Sequence, residues 1–305
     1  MVTRPIDGVQ VGLLGLRQAV AERGLGLEGV HVTRGGAAPV SFRWVSDDRR
    51  EVYSVSKTFT SVAIGIARAD GLLDLEDPVL THLPEFKASA AEGVEELTIR
   101  HLLSMTAGID FRWDPDIELP GDPAQIFLAT PLTAQPGASF AYRGTNSYVL
   151  GRIIAAVSGL DLRDFLLPRL LRPLGIGNPQ WLRCPLGFPL GAMGLQLRTE
   201  EVGRLGETLL HGGSYQGQQL VPADYVDLMR TELTPTDRTD DPEKAAYGFH
   251  CWPYARDDAS RMDGLYGQFS IMLPHQQSCI TVTAHYEKST TDILDAIWTE
   301  LVPYL

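Results

Sequence analysis

At 305 residues, 44% hydrophobic and 21% charged, the chain has the size and composition of one large or two closely packed globular units. A formal net charge of −12, with no basic arm or block of like charge, argues against nucleic acid or an anionic membrane surface as partner. No stretch has the length and apolarity of a bilayer span and the first residues lack a signal-peptide core, so a cytoplasmic location is expected. Cys184, Cys251 and Cys279 are odd in number, widely spaced and set among apolar neighbours; they read as reduced thiols without metal-ligand spacing.

Residues 9–23 have helical periodicity, with Val11, Leu14, Ala19 and Val20 on one side and Arg17, Glu22 and Arg23 on the other. Gly24-Leu25-Gly26-Leu27-Glu28-Gly29 matches the glycine spacing of dinucleotide sites. Yet it follows a helix and leads into a strand, the reverse of what a phosphate cradle needs, so it reads as a turn. Val30–Thr33 and Val40–Val45, separated by Gly35-Gly36, read as a β-hairpin.

Tyr53-Ser54-Val55-Ser56-Lys57-Thr58-Phe59-Thr60-Ser61-Val62-Ala63-Ile64-Gly65-Ile66-Ala67 then turns from a strand end into a helix of small and apolar residues, the pattern of a buried helix. Residues three apart share a helix face, so Ser54 and Lys57 can touch. A lysine held there loses solvation, which favours its neutral form and lets it act as a base. Ser54, at the amino end, stands where backbone N–H groups and the helix dipole favour developing negative charge. The bland alternative is a helix cap and a snorkelling lysine. Lysine usage leans toward chemistry: against 22 arginines stand only Lys57, Lys87, Lys244 and Lys288, and Lys57 alone follows a serine by three residues.

Beyond Gly71 the segments are mostly helical or loop-like to about residue 185. A helix starting near Leu97 has Thr98 as cap; another runs from Asn146 to Ser158 and closes at Gly159. Tyr142 precedes it in a loop, either reaching a cleft or packing as an ordinary aromatic. Helices follow over Glu200–His211, with Thr199 as cap, and Leu220–Met229. Gly248–Trp252, Gln268–Leu273 and Cys279–His285 read as strands, and Asp292–Leu301 as a closing helix. The expected fold is α/β (α+β): an antiparallel sheet drawn from both ends of the chain and flanked by terminal helices, plus a mainly helical lobe. The expected boundaries are 1–70 with 186–305 for the sheet domain and 71–185 for the helical one, with the site in the cleft between them.

Ser54-Val55-Ser56-Lys57, then Leu72-Leu73-Asp74-Leu75-Glu76-Asp77-Pro78-Val79, Ile99 to Ile109, Pro136-Gly137 with Phe140 and Tyr142, and Pro168 to Ile176 arrive in an order that resembles the serine β-lactamase and penicillin-binding-protein superfamily. The likeness is to its class C β-lactamase, esterase and 6-aminohexanoate-dimer hydrolase branch, and it covers nearly the whole chain from about residue 28. It implies Ser54 as nucleophile, Lys57 as base and Tyr142 as proton shuttle, its pKa lowered by Lys57, with no cofactor and no metal. The backbone N–H groups of Ser54 and Leu265 are implied as oxyanion donors, in the segment Asp263-Gly264-Leu265-Tyr266-Gly267.

Two motifs depart from the family pattern. Tyr-x-Asn is replaced by Tyr142-Arg143-Gly144, with Asn146 two places later as the nearest amide. No Lys or His precedes the segment at Gly264, leaving Arg261 either as a substitute cation or as an exposed arginine before a strand. The expected activity is therefore hydrolysis of an ester or small amide through an acyl-enzyme, ahead of β-lactamase or D-amino-acid peptidase activity and of a catalytically silent ligand-binding protein.

Overall fold

The computed structural model describes residues 7–114, 119–238, 242–254 and 258–305. Asp7 caps the first helix by accepting from the Val9 N–H at 3.2 Å, and α1 (Gly8–Arg23) stops where Gly24 turns left-handed. Its buried face carries Val9, Leu13, Leu16, Ala19 and Val20, whereas Val11 and Leu14, expected on that face, are exposed. Gly12 explains the rotation. A β-carbon there would stand 2.8 Å from the Glu300 carbonyl oxygen, so the glycine edge must face the carboxy-terminal helix.

The hairpin forms as expected from β1 (Leu27–Arg34) and β2 (Val40–Arg43), and β3 (Arg50–Glu51) leads through a 3-10 turn, Tyr53–Val55, into α2 (Ser56–Ala69). Five short or medium helices follow: α3 (Val79–His82), α4 (Ile99–Leu103), α5 (Pro123–Ala129), α6 (Gly144–Ser158) and α7 (Leu162–Leu166). Thr98 caps α4 as expected, and Gly159 closes α6. The chain returns through β4 (Gln196–Leu197), which pairs with β3, to α8 (Thr199–Leu210). Arg198, not Thr199, occupies the cap of α8; the Thr199 hydroxyl instead pairs with that of Thr283 at 2.7 Å. The hairpin of β5 (Ser214–Tyr215) and β6 (Gln218–Gln219), then α9 (Ala223–Thr231), precede β7 (Thr234–Pro235), which pairs with β8 (Ala246–Tyr247).

The last quarter supplies β9 (Trp252–Pro253), β10 (Ser260–Gly264), β11 (Gln268–Leu273), β12 (Ser278–Ala284) and α10 (Thr291–Ala296), which widens into a final helical turn, Ile297–Leu301. Six strands make one antiparallel sheet in the order β2-β1-β12-β11-β10-β9, so both ends of the chain meet at its centre with Val30 opposite Val282. On one face Val30, Ile271, Ile280 and Val282 pack against α1 and the carboxy-terminal helix. Each such side chain contributes about 1.5–3 kcal/mol on leaving water. The other face is lined by small polar groups, among them Ser270 and Thr281, whose hydroxyls pair at 2.8 Å, and α8 lies on them. Gly203 and Gly206 permit that approach: a β-carbon at Gly206 would fall 2.2 Å from Ser270 Oγ.

Helix α2 runs through the core. Ser56 to Ala67 are all buried, and Gly65 leaves room for the Tyr225 ring of α9. Its polar side chains are used as ties. The Thr58 hydroxyl donates to the His250 carbonyl at 2.7 Å, Thr60 to that of Gly191 at 2.8 Å and Ser61 to that of Phe249 at 3.0 Å. Among the described residues no helix is long and apolar enough to cross a membrane.

Candidate active site

Ser54 sits in the turn just before α2, and the turn is reached through strain. Tyr53 adopts φ 47°, a left-handed conformation that costs a side-chain-bearing residue about 1–2 kcal/mol. Its ring packs edge-on against Tyr266 at 5.2 Å, across from the turn that follows β10. Gly264, the last residue of β10, touches the backbone leading into Ser54; a β-carbon there would lie 2.5 Å from the Val52 carbonyl oxygen. Pairing of β10 with β11 ends at Gly264 opposite Gln268, so Leu265 lies beyond the ladder, exposed on the wall of the cleft that holds Ser54.

Lys57, the second residue of α2, lies one turn after Ser54, and only 3% of its surface is exposed. Its Nζ donates to Ser54 Oγ at 2.8 Å and to the Ala192 carbonyl oxygen at 2.9 Å. Neither partner is a carboxylate. Burial brings the amine down to about 7, only partly offset by the negative charge of Asp263. A lysine at that value is neutral in a large fraction of molecules at ordinary pH, and its lone pair is then available to the Ser54 proton.

Tyr142 stands beside this pair, with Lys57 Nζ 4.9 Å from the centre of its ring. Its hydroxyl is held well above the ordinary tyrosine value, first by burial and also by the Asp263 charge; its hydrogen bonds with the Ser54 and Tyr247 hydroxyls act the other way. The expected lowering by Lys57 is therefore corrected. Desolvation dominates, and Tyr142 stays protonated. Around it close Tyr247 at 5.7 Å, Trp252 at 5.8 Å and, behind these, Phe140 and Met105.

An open cleft of about 220 Å³ joins Ser54 and Tyr142 to Trp252, Asp263, Gly264 and Leu265, with Arg238 and Lys244 also on its lining. Two expected site residues lie elsewhere. Arg261 is fully buried, donates from Nε to Asp263 at 3.0 Å and from Nη1 to the Glu243 carbonyl, and lies over the Tyr254 ring. It is the counter-ion of Asp263, because a strand alternates its side chains and position 261 shares a face with 263. Asn146 is buried in the first turn of α6 with its amide nitrogen on the Met105 sulfur at 3.2 Å, behind Tyr142 and off the lining of the cleft.

Sequence reasoning missed Asp263, Trp252, Tyr247, Arg238 and Lys244 as neighbours of the cleft. Asp263 stood in a segment read for its glycines alone. Tyr247 precedes and Trp252 ends a run taken as strand, where aromatic residues are ordinary. The Ala192 carbonyl could not have been found, since any residue can supply it.

A model of the family described as Beta-lactamase matches residues 3–302. Among curated relatives, the 6-aminohexanoate-dimer hydrolase of Paenarthrobacter ureafaciens is 27% identical over 213 residues, 64% of this chain and 52% of that protein. The Beta-lactamase of Escherichia coli (strain K12) is 29% identical over 136 residues, 44% of this chain and 35% of that one. Protein flp of Staphylococcus aureus (strain COL) is 28% identical over 154 residues, 48% of this chain and 31% of its own, so the matches span between a third and about half of these relatives. Among solved structures, SurE superposes with TM-score 0.77 at 22% identity, over 97% of this chain and 76% of that one. EstCE1, a hydrolase with promiscuous acyltransferase activity, gives 0.76 at 19% identity, over 95% and 98% of the two chains. The structural likenesses agree with the antiparallel sheet and its terminal helices, and the match of the family model along almost the whole chain places the protein in the beta-lactamase family.

Proposed function

We propose that the protein is a serine hydrolase that opens an ester or small amide through an acyl-enzyme on Ser54. The observation that carries this reading is Lys57 Nζ at 2.8 Å from Ser54 Oγ, buried, without a carboxylate partner and brought to about 7. Neutral Lys57 takes the proton as Ser54 Oγ attacks the carbonyl carbon. The N–H groups of Ser54 and Leu265 receive the oxyanion, in the cleft that the Gly264 contact holds against the Ser54 turn. Tyr142, protonated and hydrogen-bonded to Ser54, passes a proton to the leaving group and is refilled from Lys57. Water then repeats the sequence on the acyl-enzyme. The cleft is read as the seam between a sheet domain, 1–70 with 186–305, and a helical one, 71–185.

An ester or small neutral amide is favoured over a β-lactam or a peptide carboxylate because the group on β10 facing Ser54 is the Asp263 carboxylate and not a cation. The β-lactamase or D-amino-acid peptidase reading keeps one supporting observation, the presence of Arg238 and Lys244 on the same cleft. A fluorophosphonate probe and a panel of p-nitrophenyl esters and nitrocefin, run on the protein and on Ser54→Ala, separate these. Labelling and ester turnover that vanish in Ser54→Ala are expected. Ester turnover surviving that substitution overturns the mechanism, and nitrocefin turnover as fast as that of good esters overturns the substrate ranking.

A further inference from the structure

His250 is a buried titratable group that the proposed chemistry does not use. Its backbone is left-handed, at φ 59°, which a β-carbon disfavours and glycine does not. Only 2% of its surface is exposed. Its Nδ1 stands 2.9 Å from the Leu103 carbonyl oxygen, which can only accept, so Nδ1 carries the proton. Nε2 is then the acceptor, and it takes the Ser147 hydroxyl at 2.9 Å. The carbonyl of the same residue accepts from Thr58 at 2.7 Å. Burial and the nearby Lys57 charge bring the ring down to about 3, so it stays neutral through the physiological range.

These three bonds reach α2, α4 and α6, the helices that adjoin the candidate catalytic groups. Thr58 adjoins Lys57 on α2. Ser147 lies on α6, whose amino end follows Tyr142. Leu103 ends α4, and two residues on the Met105 carbonyl accepts the Ala141 N–H at 2.8 Å, beside Tyr142. The loop that His250 anchors has Tyr247 at one end and Trp252 at the other, the two rings that grip Tyr142. A strained backbone held by a side chain bonded on both nitrogens is the mark of a position whose side chain is needed.

We propose that His250 is a positioning residue: a neutral imidazole that pins the Tyr247–Trp252 loop to α2, α4 and α6 and so sets Tyr142 against Ser54 and Lys57. This rests on the serine-hydrolase reading. The two fail separately, because Ser54→Ala tests the nucleophile while His250 variants test only its alignment. His250→Gly relieves the backbone and removes all ring bonds; His250→Asn tolerates the left-handed backbone and restores a donor toward Leu103. With p-nitrophenyl acetate, His250→Gly is expected to lower kcat and the rate of fluorophosphonate labelling of Ser54 by about 10- to 100-fold with KM little changed, the scale of an ångström-level misalignment. His250→Asn should recover part of that loss. A folded His250→Gly protein with kcat within about twofold of the parent, or equal loss in Gly and Asn variants, overturns the proposal. Should His250→Gly fail to fold, Ser147→Ala removes only the Nε2 partner. A severalfold fall in kcat at unchanged melting temperature supports the role, and unchanged kcat overturns it.

Discussion

Lys57 owes its lowered pKa to what is kept away from it. Water is excluded, no carboxylate shares its hydrogen bonds, and its two oxygen partners are a hydroxyl and a carbonyl. If neutral Lys57 is the base, kcat/KM should rise with pH as a single-proton step near 7 and flatten above, a profile measurable with any p-nitrophenyl ester. Asp263 holds the charged form up, so Asp263→Asn should move that step to lower pH; a step that moves up would contradict the assignment. Lys57→Arg, which cannot release its proton at these pH values, should lose about 10³-fold or more in kcat while its circular dichroism is unchanged. Spacing made the Ser54–Lys57 contact legible, because three residues along a helix fix a distance. It could not show that Tyr142 is shifted upward, that Arg261 is neutralised by Asp263 or that Asn146 turns toward Met105. Each of those depends on residues far away in the chain, and burial has no local signature.

Elements follow the same logic. Helices α2 and α6 and strands β11 and β12 were readable because their apolar residues recur over many positions. Strand β10 was not among the expected strands: Ser260-Arg261-Met262-Asp263-Gly264 has too few β-branched or apolar residues to announce itself, and its place is secured by ladder bonds to β11. Gly248–Trp252, by contrast, reads as a strand and is mostly a loop, since His250 turns left-handed in its middle and only Trp252 enters a ladder. The end of β10 is where an element becomes a site. Gly264→Ala should cost about 1–3 kcal/mol, as overpacking does, by forcing β10 away from the Val52 carbonyl. Its activity should fall further than its stability accounts for, which chemical denaturation and kcat measured on one preparation would reveal.

At the scale of the molecule, two histidines are buried in the neutral form. Burial brings His31 down to about 4 and His250 to about 3, both below their value in an unfolded chain. Unfolding at acid pH therefore takes up protons. Stability should be full above about 6.5 and fall as pH drops toward 4, by about 3 kcal/mol from each ring, read as a lower urea midpoint at pH 4.5 than at pH 7.5. Replacing His31 with Gln should flatten part of that slope. A midpoint that rises on acidification would show that neither ring is neutral when folded. The sheet joining both ends of the chain and its cover of terminal helices were readable from the order of strands and helices, because this pairing buries their apolar faces together.

The junction of β1 with β12 also sets a clock. Val30 pairs with Val282, so 282 − 30 = 252 residues separate the partners. A ribosome adding roughly 5–20 residues per second leaves β1 without its central neighbour for roughly 13–50 s. During that interval the hairpin of β1 and β2 carries Val30 and Val32 on an open edge, the kind of surface that pairs with other chains. Slowing translation should thus lower the soluble yield of this protein. A circular permutant that starts at β11 would make β11, β12, α10, α1 and β1 in one run, bringing its central strands together early, and should refold faster from urea than the natural order.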